Sequence, residues 1–113
     1  LGKEEIAKMK DGVYISNSAR GALLDETAVV EGLKSGKIAG FATDVLEDEP
    51  GRCDHPYLGF DNVVMTPHTS AYTMECLVDM GNKCLSDVEC VVQGKLPKRA
   101  VQPISKYVRE GGE

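Results

Sequence analysis

Three short segments of the sequence carry side chains that could share one site of acid–base chemistry. Arg20 lies in the first, residues 17–21; Asp44 and Glu49 lie in the second, residues 44–50; His68 closes the third, residues 66–68. Arginine binds carboxylates through a planar fork of donors, and histidine is the most common acid–base side chain in enzymes. An arginine, a carboxylate and a histidine that meet in the fold would indicate an enzyme site.

Apolar runs predict a strand just before each of these segments. The strands cover residues 13–16, 38–45 and 63–65, the first two being read as buried and the second as covered on both faces. In parallel α/β sheets, chemistry collects outside the carboxyl ends of the strands. Arg20 and His68 follow such ends, Asp44 and Glu49 lie at and just past the end of the second strand, and Pro67 ends the third strand.

Helical patterns fill the spaces between the predicted strands. Residues 4–10 form a short helix, and a second helix runs from an N-cap at Asp25 to a terminating Gly36. An irregular loop covers residues 47–62, and the longest helix runs from Thr73 to Val92. This order predicts parallel strands joined by right-handed crossovers, which is an α/β fold. A polar tail follows from residue 100, with Val101, Ile104 and Val108 as its apolar anchors.

Composition narrows the classes of function. The 113 residues support one small domain at most, with 42% hydrophobic and 27% charged residues, as in globular proteins. A net charge of −5 and a pI near 5.0 argue against a nucleic-acid partner. No apolar run reaches the roughly 20 residues of a membrane helix. We expect neither nucleic acid nor membrane as a partner.

The four cysteines predict no cross-link and no metal site. They form no CxxC pair and no repeated spacing, so free thiols in the reducing cytoplasm are expected. The chain opens with Leu1 and shows no signal-like segment, which is the pattern expected of a piece of a longer cytoplasmic protein.

The three segments together resemble the D-isomer-specific 2-hydroxyacid dehydrogenases. Residues 17–25 are similar to that family's arginine signature, residues 35–50 to its next block, and residues 62–68 to its histidine block. The resemblance extends from about Glu4 to about Leu85. It implies the second half of a Rossmann-type doubly wound parallel sheet, followed by a long C-terminal helix and tail. Residues 1–72 would complete a dinucleotide-binding domain, and residues 73–113 would pack on a substrate domain.

The resemblance also implies a role for each residue. Arg20 would hold the substrate carboxylate and polarise the adjacent carbonyl, and His68 would act as general acid or base. Glu49 would hydrogen-bond the other ring nitrogen of His68, although Glu47 stays open as the alternative partner. The cofactor would be NAD, with Asp44 facing its nicotinamide end and further contacts from Ser18, Ala19, Arg20, His68, Thr69, Ser70 and Ala71.

One expected element of the family is missing. The sequence contains no G-x-G-x-x-G, which implies that these residues are the C-terminal part of an enzyme that moves hydride between NAD(H) and a small 2-hydroxy or 2-oxo acid. Alone, the chain should be inactive, and the apolar stripe of the long helix should favour self-association, in keeping with the family's usual homodimer. An NAD-sensing binding protein of the corepressor type and an inactive fragment remain open alternatives. The particular acid, and NAD against NADP, also remain open.

Overall fold

The computed structural model describes residues 1–100 of the chain. The predicted tail anchors Val101, Ile104 and Val108 lie outside the described residues. The chain divides into two compact units, one from Leu1 to Ala71 and one that begins at Tyr72. The helices are α1 (Lys3–Lys8), α2 (Glu26–Ser35) and α3 (Met74–Val92); the strands are β1 (Val13–Asn17), β2 (Ile38–Thr43) and β3 (Val63–Met65); short 3-10 helices span Gly21–Leu23 and Pro56–Gly59.

The three strands form the predicted parallel sheet, in the order β1-β2-β3. The α/β fold class is therefore confirmed. Strand β2 ends at Thr43, earlier than the predicted residue 45. The Thr43 hydroxyl donates to the Val45 carbonyl at 2.6 Å, which bends the chain away from the sheet at Asp44. The turn that carries Asp44 thus begins directly at the end of the strand.

Helix α2 begins and ends as the sequence predicts. The Asp25 carboxylate accepts a hydrogen bond from the Ala28 amide at 3.0 Å, which satisfies one of the free donors of the first turn. Gly36 ends the helix with φ of 76°, in the left-handed region where a residue without Cβ is favoured. These caps fix the length of the crossover between β1 and β2.

The core of the first unit lies between α2 and the sheet. Val29 and Ile38 are completely buried, and Leu33 and Phe41 are nearly so. Ile6 of α1 belongs to the same cluster. Burial of each large apolar side chain contributes about 1.5–3 kcal/mol, so this cluster holds the helices on the strands.

The prediction that the first strand is buried is wrong for two of its residues. Tyr14 is 78% exposed, and Ser16 is also exposed. Strand side chains alternate between faces, and β1 turns only Val13, Ile15 and Asn17 toward the packed face. Val64 of β3 is also exposed, at 63%. Within this unit, the sheet is therefore apolar on both faces but packed mainly on one.

Helix α3 forms most of the described part of the second unit. Its N-cap is Thr73, as predicted, because the hydroxyl accepts from the Cys76 amide at 3.2 Å. The helix ends at Val92, and Gly94 follows with φ of 69°. None of its residues is buried. Its large exposed apolar side chains include Leu77, Met80, Leu85, Val88 and Val91.

Three further findings concern the described part of the chain. No helix in residues 1–100 is long and apolar enough to cross a membrane. All four cysteines are free. No group of three or more His, Cys, Asp or Glu side chains in this range is arranged to hold a metal ion.

Candidate active site

The ends of the three strands stand level with one another. In the sheet register, Asn17 pairs with Thr43, and Thr43 pairs with Met65. The ladder continues past the strand ends, since the Asp44 amide donates to the Asn17 carbonyl at 2.9 Å and the Thr66 amide to the Thr43 carbonyl at 3.0 Å. The three polar segments therefore leave the sheet at one edge.

The first segment is held by Asn17, which is only 7% exposed. Its side-chain oxygen accepts from the Ala19 amide at 3.1 Å, and its side-chain nitrogen donates to the Arg20 carbonyl at 2.9 Å. These bonds fix the turn, while the Arg20 guanidinium is exposed and donates to the Ala19 carbonyl at 2.6 Å. The sequence pattern places Asn17 in the polar segment after the first strand but gives it no role in holding the turn. The preference of asparagine for turns of this kind was the available signal.

The second segment presents Asp44, whose residue is 5% exposed. Its Oδ1 accepts from the Thr66 hydroxyl at 2.5 Å and from the Thr69 amide at 2.9 Å, and its Oδ2 accepts from the Ser70 amide at 2.9 Å. Hydrogen bonds from Thr66 and then Ser70 hold the pKa of Asp44 far below its usual range. These donors therefore favour the ionised form of the carboxylate.

His68 meets the carboxylate of Glu49. Its Nδ1 lies 2.8 Å from Glu49 Oε2, and the other carboxylate oxygen accepts from the Leu46 amide at 3.0 Å. The bond from His68, followed by that from Leu46, lowers the pKa of Glu49. Nδ1 therefore donates to an ionised Glu49, which makes Nε2 the outward ring nitrogen. Of the two candidate partners, the structure brings Glu49, and not Glu47, into contact with His68.

His68 has an uncommon backbone conformation. Its φ is 55°, in the left-handed region that residues with a Cβ rarely adopt. Its amide donates to the Thr66 carbonyl at 3.0 Å. The side chains of His68 and Glu49 are 48% and 37% exposed. The pair is thus accessible from a cleft, and the turn that presents it is held by specific contacts.

Two open clefts flank the strand ends. One, of about 320 Å³, is lined by His68 and Glu49 together with Asp44, Thr66 and Pro67. The other, of about 230 Å³, lies over the strand ends and is lined by Ser18, Asp44 and Ser70, among others. Asp44 and Thr66 line both clefts. The two clefts are therefore adjacent, and molecules bound in them would lie next to each other.

Some of the residues predicted from the sequence do not contact the His68–Glu49 pair or line either cleft. Arg20 contacts neither member of the His68–Glu49 pair, although its charge makes a small contribution to the lowered pKa of Glu49. The amides of Ala19 and Thr69 are used inside the site, by Asn17 and Asp44. Ala71 is exposed and lines neither cleft.

The cleft over the strand ends presents acceptor and donor groups, and the carboxamide of nicotinamide needs both. Asp44 supplies a carboxylate, and Ser18 and Ser70 supply hydroxyl groups. Strand β2 contributes the small residue Ala42, which leaves room for a flat ring. These residues fit the nicotinamide end of a dinucleotide.

Gly21 is a second residue that sequence reasoning did not single out. A Cβ placed on Gly21 would lie 2.0 Å from the carbonyl carbon of Leu46 and 2.2 Å from the amide nitrogen of Glu47. Only a residue without a side chain fits there. Gly21 thus lets the Arg20 turn touch the backbone that leads to Glu49. No local signal distinguishes this glycine from one in an ordinary turn.

Comparison with known proteins agrees with this geometry. The family model described as "D-isomer specific 2-hydroxyacid dehydrogenase, NAD binding domain" matches residues 1–70. The chain is 44% identical over 101 residues to D-3-phosphoglycerate dehydrogenase of Archaeoglobus fulgidus, covering 89% of this chain and 19% of that protein. It is 50% identical over 93 residues to an aromatic 2-oxoacid reductase of Clostridium sporogenes, covering 71% of this chain and 28% of that protein.

A solved structure gives the same result for the fold. A crystal structure of a glyoxylate reductase from Paecilomyes thermophila matches with a TM-score of 0.75 and 40% identity, over 85% of this chain and 29% of that chain. The chain therefore spans between about a fifth and a third of the length of these relatives.

Proposed function

The chain belongs to the D-isomer-specific 2-hydroxyacid dehydrogenases, and we propose that it supplies the acid–base half of the active site in a longer NAD-dependent enzyme of that family. The reaction would move a hydride between NAD(H) and a small D-2-hydroxy acid or 2-oxo acid. The observation that carries the proposal is the 2.8 Å contact between His68 Nδ1 and Glu49 at the cleft. It leaves Nε2 as the ring nitrogen that can exchange a proton with a substrate.

His68 would act directly on the reacting oxygen. In reduction, the protonated ring donates the Nε2 proton to the carbonyl oxygen of the 2-oxo acid as it becomes a hydroxyl. In oxidation, neutral Nε2 takes the proton back. Glu49 accepts from Nδ1 in both directions, so it fixes the tautomer and stabilises the positive ring. NADH, when bound, supplies the hydride that the carbonyl carbon receives.

Arg20 would bind the carboxylate that every 2-oxo acid carries. Its guanidinium is exposed at the same sheet edge as His68, and its planar fork can bind two carboxylate oxygens at once. Within residues 1–71, Asn17 holds the Arg20 turn by two hydrogen bonds. The backbone that carries the Arg20 guanidinium is therefore fixed in place.

The residues proposed to hold NAD surround the strand-end cleft. Ser18, Asp44 and Ser70 line it. The proposed set is completed by Ala19, Arg20, His68, Thr69 and Ala71. The division into a dinucleotide-binding part, residues 1–72, and an interdomain helix and tail, residues 73–113, belongs to the same proposal.

We further propose a cytoplasmic homodimer. Four free cysteines are typical of a reducing compartment. The exposed apolar residues of α3, among them Leu77, Met80 and Val88, favour burial in an assembled protein. Light scattering on the full-length protein measures the assembly, and a monomer at micromolar concentration would contradict it.

The test of function uses the full-length protein with NADH or NADPH and a panel of 2-oxo acids. We expect His68→Ala to lower kcat by about 10²–10⁴-fold, the usual contribution of a general acid. Arg20→Lys keeps the charge but loses the fork, and we expect kcat/KM to fall. Arg52→Lys is the matched control, because Arg52 is exposed and pairs only with Asp54 among the described contacts. Unchanged turnover in His68→Ala would refute the assignment.

A further inference from the structure

Asp44 binds the segment that carries His68 on both sides of that residue. The Thr66 hydroxyl, two residues before His68, and the Thr69 and Ser70 amides, one and two residues after it, all donate to the Asp44 carboxylate. The donor–acceptor distances are 2.5, 2.9 and 2.9 Å. One buried carboxylate at the end of β2 therefore closes a ring of hydrogen bonds around His68.

The His68 backbone needs such support. A left-handed φ of 55° is unfavourable for a residue with a Cβ and persists only where surrounding contacts hold it. In that conformation, Nδ1 reaches Glu49. If the turn relaxed toward an ordinary extended conformation, the Thr69 and Ser70 amides would leave Asp44 and the ring would leave Glu49.

We propose that Asp44 is a positioning residue for His68, and that its carboxylate holds the turn of residues 66–70 before any dinucleotide binds. The catalytic meaning of this role rests on the proposed function, in which His68 exchanges a proton with substrate. The holding itself does not depend on the reaction. Asp44 thus acts through His68, whether or not it also touches the cofactor.

The chemistry of the donors explains why a carboxylate is needed. Three donors converge on the two oxygens of Asp44, and each of those oxygens is used. Asparagine has the same shape but only one acceptor oxygen, and its NH₂ group would face an N–H or an O–H. A charged acceptor also makes stronger hydrogen bonds than a neutral one. Asp44→Asn must therefore lose at least one of the three hydrogen bonds and weaken the others.

The decisive experiment uses the full-length protein without dinucleotide. Hydrogen–deuterium exchange is followed in the peptide that contains residues 66–71, and the ring nitrogens of His68 are observed by ¹⁵N NMR. We expect Asp44→Asn to speed exchange of this peptide at least about tenfold. The Nδ1 signal of His68 should lose the signature of a single hydrogen-bonded tautomer. Wild-type exchange and wild-type His68 signals in Asp44→Asn would overturn the proposal.

Two further variants keep the test sharp. Thr66→Val removes one donor at an exposed position while sparing both amide bonds, so we expect a smaller change in the same direction, and no change would count against the proposal. Asp25→Ala is the matched control, because it removes a carboxylate that also accepts a backbone amide at 3.0 Å, but at the start of α2. Faster exchange of residues 66–71 in this control would mean that general destabilisation opens the turn, and would overturn the proposal.

Kinetics separate positioning from cofactor contact. Positioning predicts that Asp44→Asn lowers kcat with the KM for NADH nearly unchanged, whereas contact alone predicts a raised KM for NADH with kcat retained. The second pattern would overturn the positioning role. If the wild-type protein reduced no 2-oxo acid, the proposed function would fail, while the exchange and NMR results would still decide the role of Asp44.

Discussion

Replacing Gly21 with alanine tests how closely the Arg20 turn must approach the backbone that leads to Glu49. The new Cβ would lie 2.0 Å from the Leu46 carbonyl carbon, whereas real Cβ contacts do not fall below 3.0 Å. The two segments must therefore separate by at least about 1 Å, the difference between these distances. Because the opposing atoms belong to the backbone, no side-chain rotation can relieve the clash.

The displaced backbone directly supports the candidate acid–base pair. The Leu46 amide donates to one oxygen of Glu49 at 3.0 Å, while the other oxygen meets His68 at 2.8 Å. A movement of about 1 Å at Leu46 would break the first bond or pull Glu49 from His68. Overpacking of this kind costs about 1–3 kcal/mol of folding free energy. Misplacement of a reacting group by about 1 Å costs up to about 10²-fold in rate.

The assay compares Gly21→Ala with Gly59→Ala in the full-length protein. A Cβ on Gly59 meets nothing within 4 Å, so this variant controls for the loss of a glycine. We expect Gly21→Ala to lower both kcat/KM and the free energy of unfolding in urea, and Gly59→Ala to change neither appreciably. Wild-type values of both quantities in Gly21→Ala would refute the close approach. Lost stability with full activity would refute its link to Glu49.

Three other predictions concern Glu49, His55 and Asp25. The pKa of Glu49 is lowered in the folded protein, so its bond to His68 is fully present above the ordinary glutamate pKa and is lost only as the pH falls through the lowered value. We therefore expect the titration of Glu49 to produce no change in kcat between pH 5 and 8. Across that range, we expect Glu49→Gln to lower kcat by up to about 10²-fold, and a variant as active as wild type would contradict this. His55 is 8% exposed, accepts from the Tyr57 amide at 3.3 Å and lies 3.1 Å from Glu26, so His55→Leu should cost about 1–3 kcal/mol in urea unfolding, and a neutral result would show that these bonds are dispensable. Asp25→Ala removes the N-cap of α2 and should cost about 1 kcal/mol by the same measurement, with Asp25→Asn close to wild type; equal stability of all three would rule out the capping role.

The sequence predicts best where structure is decided locally. Asp25 and Gly36 bracket α2 because a side-chain acceptor and a left-handed glycine act within one turn of chain. The predicted end of β2 is two residues too late, because an apolar run carries no signal for the Thr43–Val45 hydrogen bond at which the chain turns. The exposure of Tyr14 was also missed, since an apolar run does not reveal which face of a sheet is packed.

In the candidate site, too, some features follow from the sequence pattern and others depend on contacts between distant residues. That polar residues would gather at the strand ends follows from the α/β pattern and parallel pairing. That Asp44 would bind the turn around His68 requires the register between β2 and β3, which relates residues more than twenty positions apart. The part played by Gly21 requires the path of the loop at Leu46, for which the sequence has no periodic signal.

The common register of Asn17, Thr43 and Met65 makes the site a reporter of correct strand pairing. A slip of one residue between β2 and β3 would carry His68 about 3.3 Å along the sheet and turn every side chain of β3 to the other face. Asp44 and Glu49 would then both lose their partners at once. A chain with slipped strands would therefore show no activity. During refolding of the full-length protein, turnover would return only after the strands have reached their native register.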